Sequence, residues 1–215
     1  MTWTTYSATL LTTVAARTDM RPAIRAAAVI FVAAATAAAA QVSLSLPFTT
    51  VPFTLQPMVV LIGGAALGSR LGFMSQVLYL LAGIAGLPVF AASPVLPQGL
   101  LRLLGPTGGY LMLFPIAAFC TGSLAERGFD RRYVTSVIAM AAGLALIFAG
   151  GVAWLAWLAQ PAPIGVHAAL QTGFSPFIVA DAVKILIASS ILPVVWKAIG
   201  TGRSEDRTIG SSRVR

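Results

Sequence analysis

The sequence predicts an all-α membrane protein, a bundle of six transmembrane helices with both termini cytoplasmic. Three observations predict it. Hydrophobic residues make up 58% of the 215 residues and charged residues only 9%, with a mean hydropathy of +0.89. A soluble domain needs roughly a quarter of its residues charged, a demand that lipid does not make. Apolar runs alternate with short polar, Gly- or Pro-containing breaks, and the basic residues fall on alternate breaks.

A spanning helix needs about 20 mostly apolar residues. The first run, about 24–40, is alanine-rich and follows Arg17, Arg21 and Arg25. Its basic start and its Ala38-Ala39-Ala40 end have the pattern of a secretory signal, but further spans follow, so retention is expected. A polar, Pro-containing stretch, 41–54, separates it from a short second run, 56–67, closed by Gly68-Ser69-Arg70. The third run covers 71–87 and the fourth 107–125. The charged segment 126–132 leads to the fifth, 134–158, and the sixth is 177–199. Residues 1–23 and 200–215 are then basic cytoplasmic tails around one membrane domain, 24–199.

Charge placement supports this parsing. Six spans put Arg17, Arg21, Arg25, Arg70, Arg127, Arg131, Arg132, Lys197, Arg203, Arg207, Arg213 and Arg215 on one side, twelve of the fourteen basic residues. That is the bias of cytoplasmic segments. It also explains the net charge of +8 without nucleic acid, for which no basic and aromatic surface is evident. Cys120 has no partner for an intramolecular disulfide.

Three charges are left over, Arg102, Asp181 and Lys184, all in or near the outer half. Asp181 and Lys184 are three apart and share a helix face. An intramembrane charge is costly, by about 2.5 kcal/mol or more, and faces the protein interior or a wet cavity. One reading is a neutralising ion pair. The other is a ligand site in which Asp181 accepts from N–H groups and Lys184 or Arg102 meets a carboxylate. In Gly105-Pro-Thr107-Gly108-Gly109-Tyr110 the glycines either let backbone approach a ligand or form a plain turn into the fourth helix. The outer segments 87–94 and 98–109 supply walls and lids, and Gln56, Gln76 and Tyr79 offer polar contacts to ligand or across helices. Trp154 and Trp157 read as interfacial anchors, and His167 is given no role.

Small residues at four-residue spacing let helices approach closely. The first helix offers Ala33/Ala37, Ala34/Ala38 and Ala35/Ala39, and the second offers Gly64/Gly68, to another helix of the chain or to a separate subunit.

Taken in order, Pro52-Phe-Thr-Leu-Gln56, Leu67-Gly-Ser-Arg-Leu-Gly72, 79–90, Leu104-Gly-Pro-Thr-Gly-Gly-Tyr110, Leu124-Ala-Glu-Arg-Gly128 and Asp181-Ala-Val-Lys184 resemble the BioY family, the biotin-binding S components of energy-coupling factor transporters. The likeness spans about 24–199. It implies six helices in the plasma membrane and a biotin pocket on the outer side. It also implies assembly with a transmembrane coupling subunit and a pair of ATPases. It maps biotin contacts onto Asp181, Lys184 and Arg102, and docking of the coupling subunit onto small residues of helix one, represented by Ala33, Ala34, Ala37 and Ala38. Family members with an Asn contact to the ligand find no counterpart, because this sequence has no Asn.

Other classes are disfavoured. No Gly-x-x-x-x-Gly-Lys-[Ser/Thr] phosphate loop exists for the chain to be its own ATPase. Metal-dependent phosphoryl transfer needs metal-binding carboxylates, and the spans hold only Asp181. No nucleophile constellation marks an enzyme, and neither cofactor nor metal is expected. The alternative is a free-standing secondary transporter of a small carboxylated solute, with Asp181 as its proton or cation site. No inverted repeat supports it.

Overall fold

The computed structural model describes residues 9–15, 21–92 and 98–211. Arg17, Arg213 and Arg215 of the expected tails, and Ser93 and Pro94 of the expected outer lid, lie outside them. Along the chain come α1 (Leu10–Ala15), α2 (Arg21–Gln41), β1 (Ser43–Leu44), β2 (Phe53–Thr54), α3 (Gln56–Leu67) and α4 (Ser69–Ile84). Then follow α5 (Leu101–Leu104), α6 (Gly108–Ala125), a 3-10 turn (Phe129–Arg131), α7 (Tyr133–Trp157), α8 (Val166–Gly173) and α9 (Ile178–Ser211).

Among the described residues, four helices are long and apolar enough to cross a membrane: Pro22–Gln41, Gly108–Ala125, Tyr133–Trp157 and Ile178–Ala198. Helices α3 and α4 pack among them but hold 12 and 16 residues. At 1.5 Å per residue they are roughly 18 and 24 Å long, shorter than a hydrocarbon core of about 30 Å. Several features were not expected from sequence: α1, the hairpin β1–β2, which pairs antiparallel, α5, α8, and the run of α9 on to Ser211. The outward faces carry large apolar side chains, among them Phe31, Phe119, Ile138, Val179, Ile187 and Val194. Such a girdle is stable against lipid and not against water.

One end of the bundle is locked by small residues. Gly68 (φ +87°) turns the chain from α3 into α4, a conformation open to glycine. Around that elbow the backbones touch. A Cβ on Gly64 would stand 2.5 Å from Ala118 O, one on Gly72 2.8 Å from Gly64 Cα, and one on Gly122 2.5 Å from Gly68 C. The Gly64/Gly68 surface is therefore spent inside the chain. Glu126, at the end of α6, closes the elbow: its carboxylate accepts from Ser69 N (2.8 Å) and Ser69 Oγ (2.9 Å). Helix α2 divides similarly. Val29, Val32, Ala33, Thr36 and Ala40 are buried against the bundle, and Ala37 is half-buried. Ala34 and Ala38 face outward beside Phe31.

The same end carries a buried acid. Trp196 Nε1 donates to Asp130 Oδ2 (2.6 Å), and the Arg131 guanidinium lies 3.7 Å from the centre of the Trp196 ring. These contacts tie the α6–α7 turn to α9. Burial raises the Asp130 pKa above the ordinary 3.8, with the Trp196 hydrogen bond and Arg131 opposing it. The folded chain thus holds this proton more tightly than the unfolded chain. The resulting stabilisation is full below about pH 4 and is lost as pH rises through the folded-state pKa. Asp130→Asn keeps an acceptor for Trp196 and removes the titration. Its melting temperature in detergent should gain on the parent's between about pH 4 and pH 7. A constant difference over that range would contradict this account.

At the opposite end, Thr49 Oγ1 donates to Thr172 O (2.7 Å), holding the hairpin loop to α8, and Gln160 N donates to Leu104 O (2.9 Å). Trp154 Nε1 donates to Gly105 O (2.9 Å). Its indole is half-buried and fastens the turn before α6, where the sequence suggested an interfacial anchor. Trp157 is exposed, as an anchor would be.

Candidate ligand-binding site

Near this end, the hairpin, α6, α7 and α9 leave a small chamber of about 70 Å³. Its walls are apolar and aromatic: Phe53, Phe90, Phe114, Phe148 and Phe177 surround it, with Val51, Leu111, Leu144 and Ile147 between them. Three charged side chains line it, Asp181, Lys184 and Arg102, and all three are buried. Two cations and one carboxylate leave a net charge of +1 on its walls. An anionic ligand would neutralise that charge.

Helix periodicity places Asp181 and Lys184 one turn apart on the inner face of α9. Lys184 Nζ donates to Asp181 Oδ1 (2.7 Å) and to Thr54 O (2.7 Å), and stands 3.4 Å from the centre of the Phe53 ring. The ammonium has three N–H groups. Two are used by protein oxygens, and the ring face attracts the cation. Lys184 therefore ties α9 to the hairpin and holds the carboxylate in place. A carboxylate can accept at about four positions, so the Lys184 bond to Oδ1 leaves Asp181 with capacity for a ligand's N–H groups. Arg102 reaches the chamber from α5. Its Nη2 donates to Ala91 O (2.7 Å), while its buried Nε has no hydrogen-bond partner among the described residues. Burial lowers its pKa, and a guanidinium remains charged at neutral pH.

The remaining candidates separate. Thr107 and Tyr110 line the chamber, as does Gln56. Tyr110 also ties α6 to α8 by donating to Gly173 O (2.8 Å). Gly105 lines a neighbouring, wider cavity. Tyr79 lines neither. It is fully buried behind the wall, accepts from Gln56 Nε2 (2.6 Å), and packs on Phe90 and Phe114, so it steadies three lining residues from outside. Gln76 bonds across helices to Thr36 (3.2 Å). Gly108 and Gly109 also stand outside the lining: a Cβ on either would run into Leu103 O or into Trp154 and Gly150. They serve close packing at the turn into α6.

Sequence reasoning gave no role to the hairpin or to Phe177. Phe53 and Phe177 stack at 6.3 Å, and Thr54 supplies the carbonyl that Lys184 needs. The signal was there in the Pro-flanked Val51-Pro-Phe-Thr54, an apolar patch inside an otherwise polar stretch.

The model of the BioY family matches residues 10–201. A probable biotin transporter BioY of Pyrococcus horikoshii is 41% identical over 155 residues, 72% of this chain and 85% of its own. The biotin transporter BioY of Thermotoga maritima is 36% identical over 148 residues, 69% of this chain and 82% of its own. Among solved structures, the S-component for biotin from an ECF-type ABC transporter superposes with a TM-score of 0.74 at 23% identity. That match covers 84% of this chain and 94% of the other.

Proposed function

The chain belongs to the BioY family, and from that premise we propose that it is the biotin-binding membrane subunit of a vitamin uptake system. It is a transport subunit and not an enzyme. The observation that carries the ligand is the chamber's make-up: apolar aromatic walls, one carboxylate and two cations. Biotin offers a ureido ring with two N–H donors, an apolar thioether bicycle and a carboxylate tail. On this reading the ureido N–H groups donate to Asp181, the bicycle lies among the phenylalanines, and the tail carboxylate meets Arg102. Thr107 and Tyr110 complete the wall.

The reading extends to topology. On this reading the six crossings are α2, α3, α4, α6, α7 and α9, with α3 and α4 the short ones. The α3–α4 elbow, the α6–α7 turn and Trp196 share an end through the Ser69–Glu126 and Asp130–Trp196 bonds. Arg70, Arg127, Arg131, Arg132 and Lys197 gather there, so that end is cytoplasmic and the chamber opens outward. The shortness of α3 is made up by residues 51–55, whose backbone is packed within protein as membrane depth requires. Six crossings then place both termini in the cytoplasm, and the chain is a multi-pass protein of the plasma membrane. The outward pair Ala34/Ala38, with Phe31, is the face on which a coupling subunit would dock; Ala33 and Ala37 are occupied within the chain. Accumulation would draw on the ATPase pair of that assembly.

Equilibrium binding of radiolabelled biotin to the purified chain in detergent tests the reading. Saturable binding at one site per chain, not displaced by excess pantothenate or thiamine, is expected. A folded chain that binds no biotin overturns it.

A further inference from the structure

We propose that the wider cavity beside the chamber is a second subsite, and that through it the chain also binds biotin amides of small amines. This rests on the biotin reading above. The cavity has a volume of about 680 Å³ and borders the chamber. Pro52, Arg102 and Thr107 line both spaces, whereas Asp181 and Lys184 line the chamber alone. On the biotin reading, a ligand with its N–H end on Asp181 has its carboxyl end at Arg102, which lines both spaces.

Two features of that junction set what it accepts. Lys184 is engaged by Asp181, Thr54 and Phe53, so the inner cation does not require the ligand's carboxylate. Arg102 is buried with Nε unpartnered among the described residues. One acceptor oxygen satisfies that N–H, and the carbonyl of an amide supplies one as a carboxylate does. Beyond Arg102 the wider cavity continues with Ser45, Thr50 and Gln160 among Leu46, Leu101 and Pro161. Among the described residues that line it, none is acidic and Arg102 is the one cation. A polar or zwitterionic amine substituent meets hydroxyl and amide groups there, with neither repulsion nor a demand for charge.

Competition against radiolabelled biotin on the purified full chain in detergent is the test, with biotinamide and Nε-biotinyl-lysine as probes and a biotin methylated on its ureido nitrogen as the blocked control. Exchanging a charge-assisted hydrogen bond for a neutral one costs about tenfold in affinity. Both amides should therefore compete within roughly that factor, and the ureido-blocked compound should fail. Ser45 and Leu101 are exposed and line only the wider cavity. Ser45→Trp and Leu101→Trp should each weaken biotinyl-lysine about tenfold or more and leave biotin within about twofold. Amides that lose more than about a hundredfold while biotin binds normally would overturn the proposal. So would amides that bind but are indifferent to both tryptophans. A chain that binds no biotin at all fails earlier, at the reading on which this one rests.

Discussion

A chain carrying Asp181→Leu together with Lys184→Met should fold in detergent as the parent does and hold no biotin. The two side chains form a buried pair at 2.7 Å on one face of α9. Removing one partner alone strands the other: Lys184→Met leaves a buried carboxylate without its cation, at a cost of about 3–5 kcal/mol in stability. That loss would confound any binding result. Replacing both by apolar residues of similar size is often neutral or stabilising, because neither charge then has to be desolvated. The double variant thus separates the two readings that the sequence left open. A structural ion pair predicts an intact fold and intact binding. A ligand site predicts an intact fold and a loss of about 2–5 kcal/mol, the usual penalty when a buried charged partner is truncated. In affinity that is roughly thirtyfold to several thousandfold. Scintillation proximity binding beside a thermal melt reads both quantities from one preparation. Binding within about threefold of the parent would reassign the pair to structure.

How far the sequence reached depended on what kind of signal each element leaves. The long apolar helices were legible because hydropathy over about 20 residues is a strong, additive signal. The boundaries expected at 107–125 and 134–158 fall within a residue of α6 and α7. Strands of two residues leave no alternation to detect, so the hairpin went unseen although it forms one wall of the chamber. Helices α5 and α8 are too short for a 3.6-residue period to stand out. The end of α9 was placed at Ile199 because lipid contact stops near there, but a helix can outrun its membrane segment. In the site, Asp181, Lys184 and Arg102 were found because charge within apolar sequence is conspicuous. For Tyr79 and Gly108/Gly109 the sequence left ligand contact open beside cross-helix bonding and a plain turn, because spacing does not encode which of several inward directions a side chain takes. Tyr79 points between α3 and the 87–91 segment. The glycines point at Leu103 and Trp154. Lys184 was expected to be available to a carboxylate; its alignment with Thr54 O and Phe53 is a long-range contact across 130 residues, invisible to local pattern.

Gly122→Ala should be among the most destabilising single-methyl changes in this chain. The added Cβ would stand 2.5 Å from Gly68 C, 2.6 Å from Ser69 N and 2.8 Å from Gly64 O. All three are backbone atoms, so no side chain can rotate away, and α6 must move relative to the α3–α4 elbow. Overpacking of this kind costs about 1–3 kcal/mol, occasionally more. The displacement also acts on the cap, because Ser69 N, the atom nearest the methyl but one, is the donor to Glu126 Oε1. Removing the cap alone, by Glu126→Ala, leaves the part-buried Ser69 N–H and hydroxyl without their acceptor, at about 1–3 kcal/mol. If the elbow and the cap are one unit, the methyl has already broken what the second change removes. The double variant should then lose about 0.5 kcal/mol or more less than the sum of the two single losses. Chemical denaturation of the four chains in mixed micelles measures that difference. Strict additivity would mean that the Ser69–Glu126 bonds survive the methyl, and that the close approach of α3, α4 and α6 is held by packing alone.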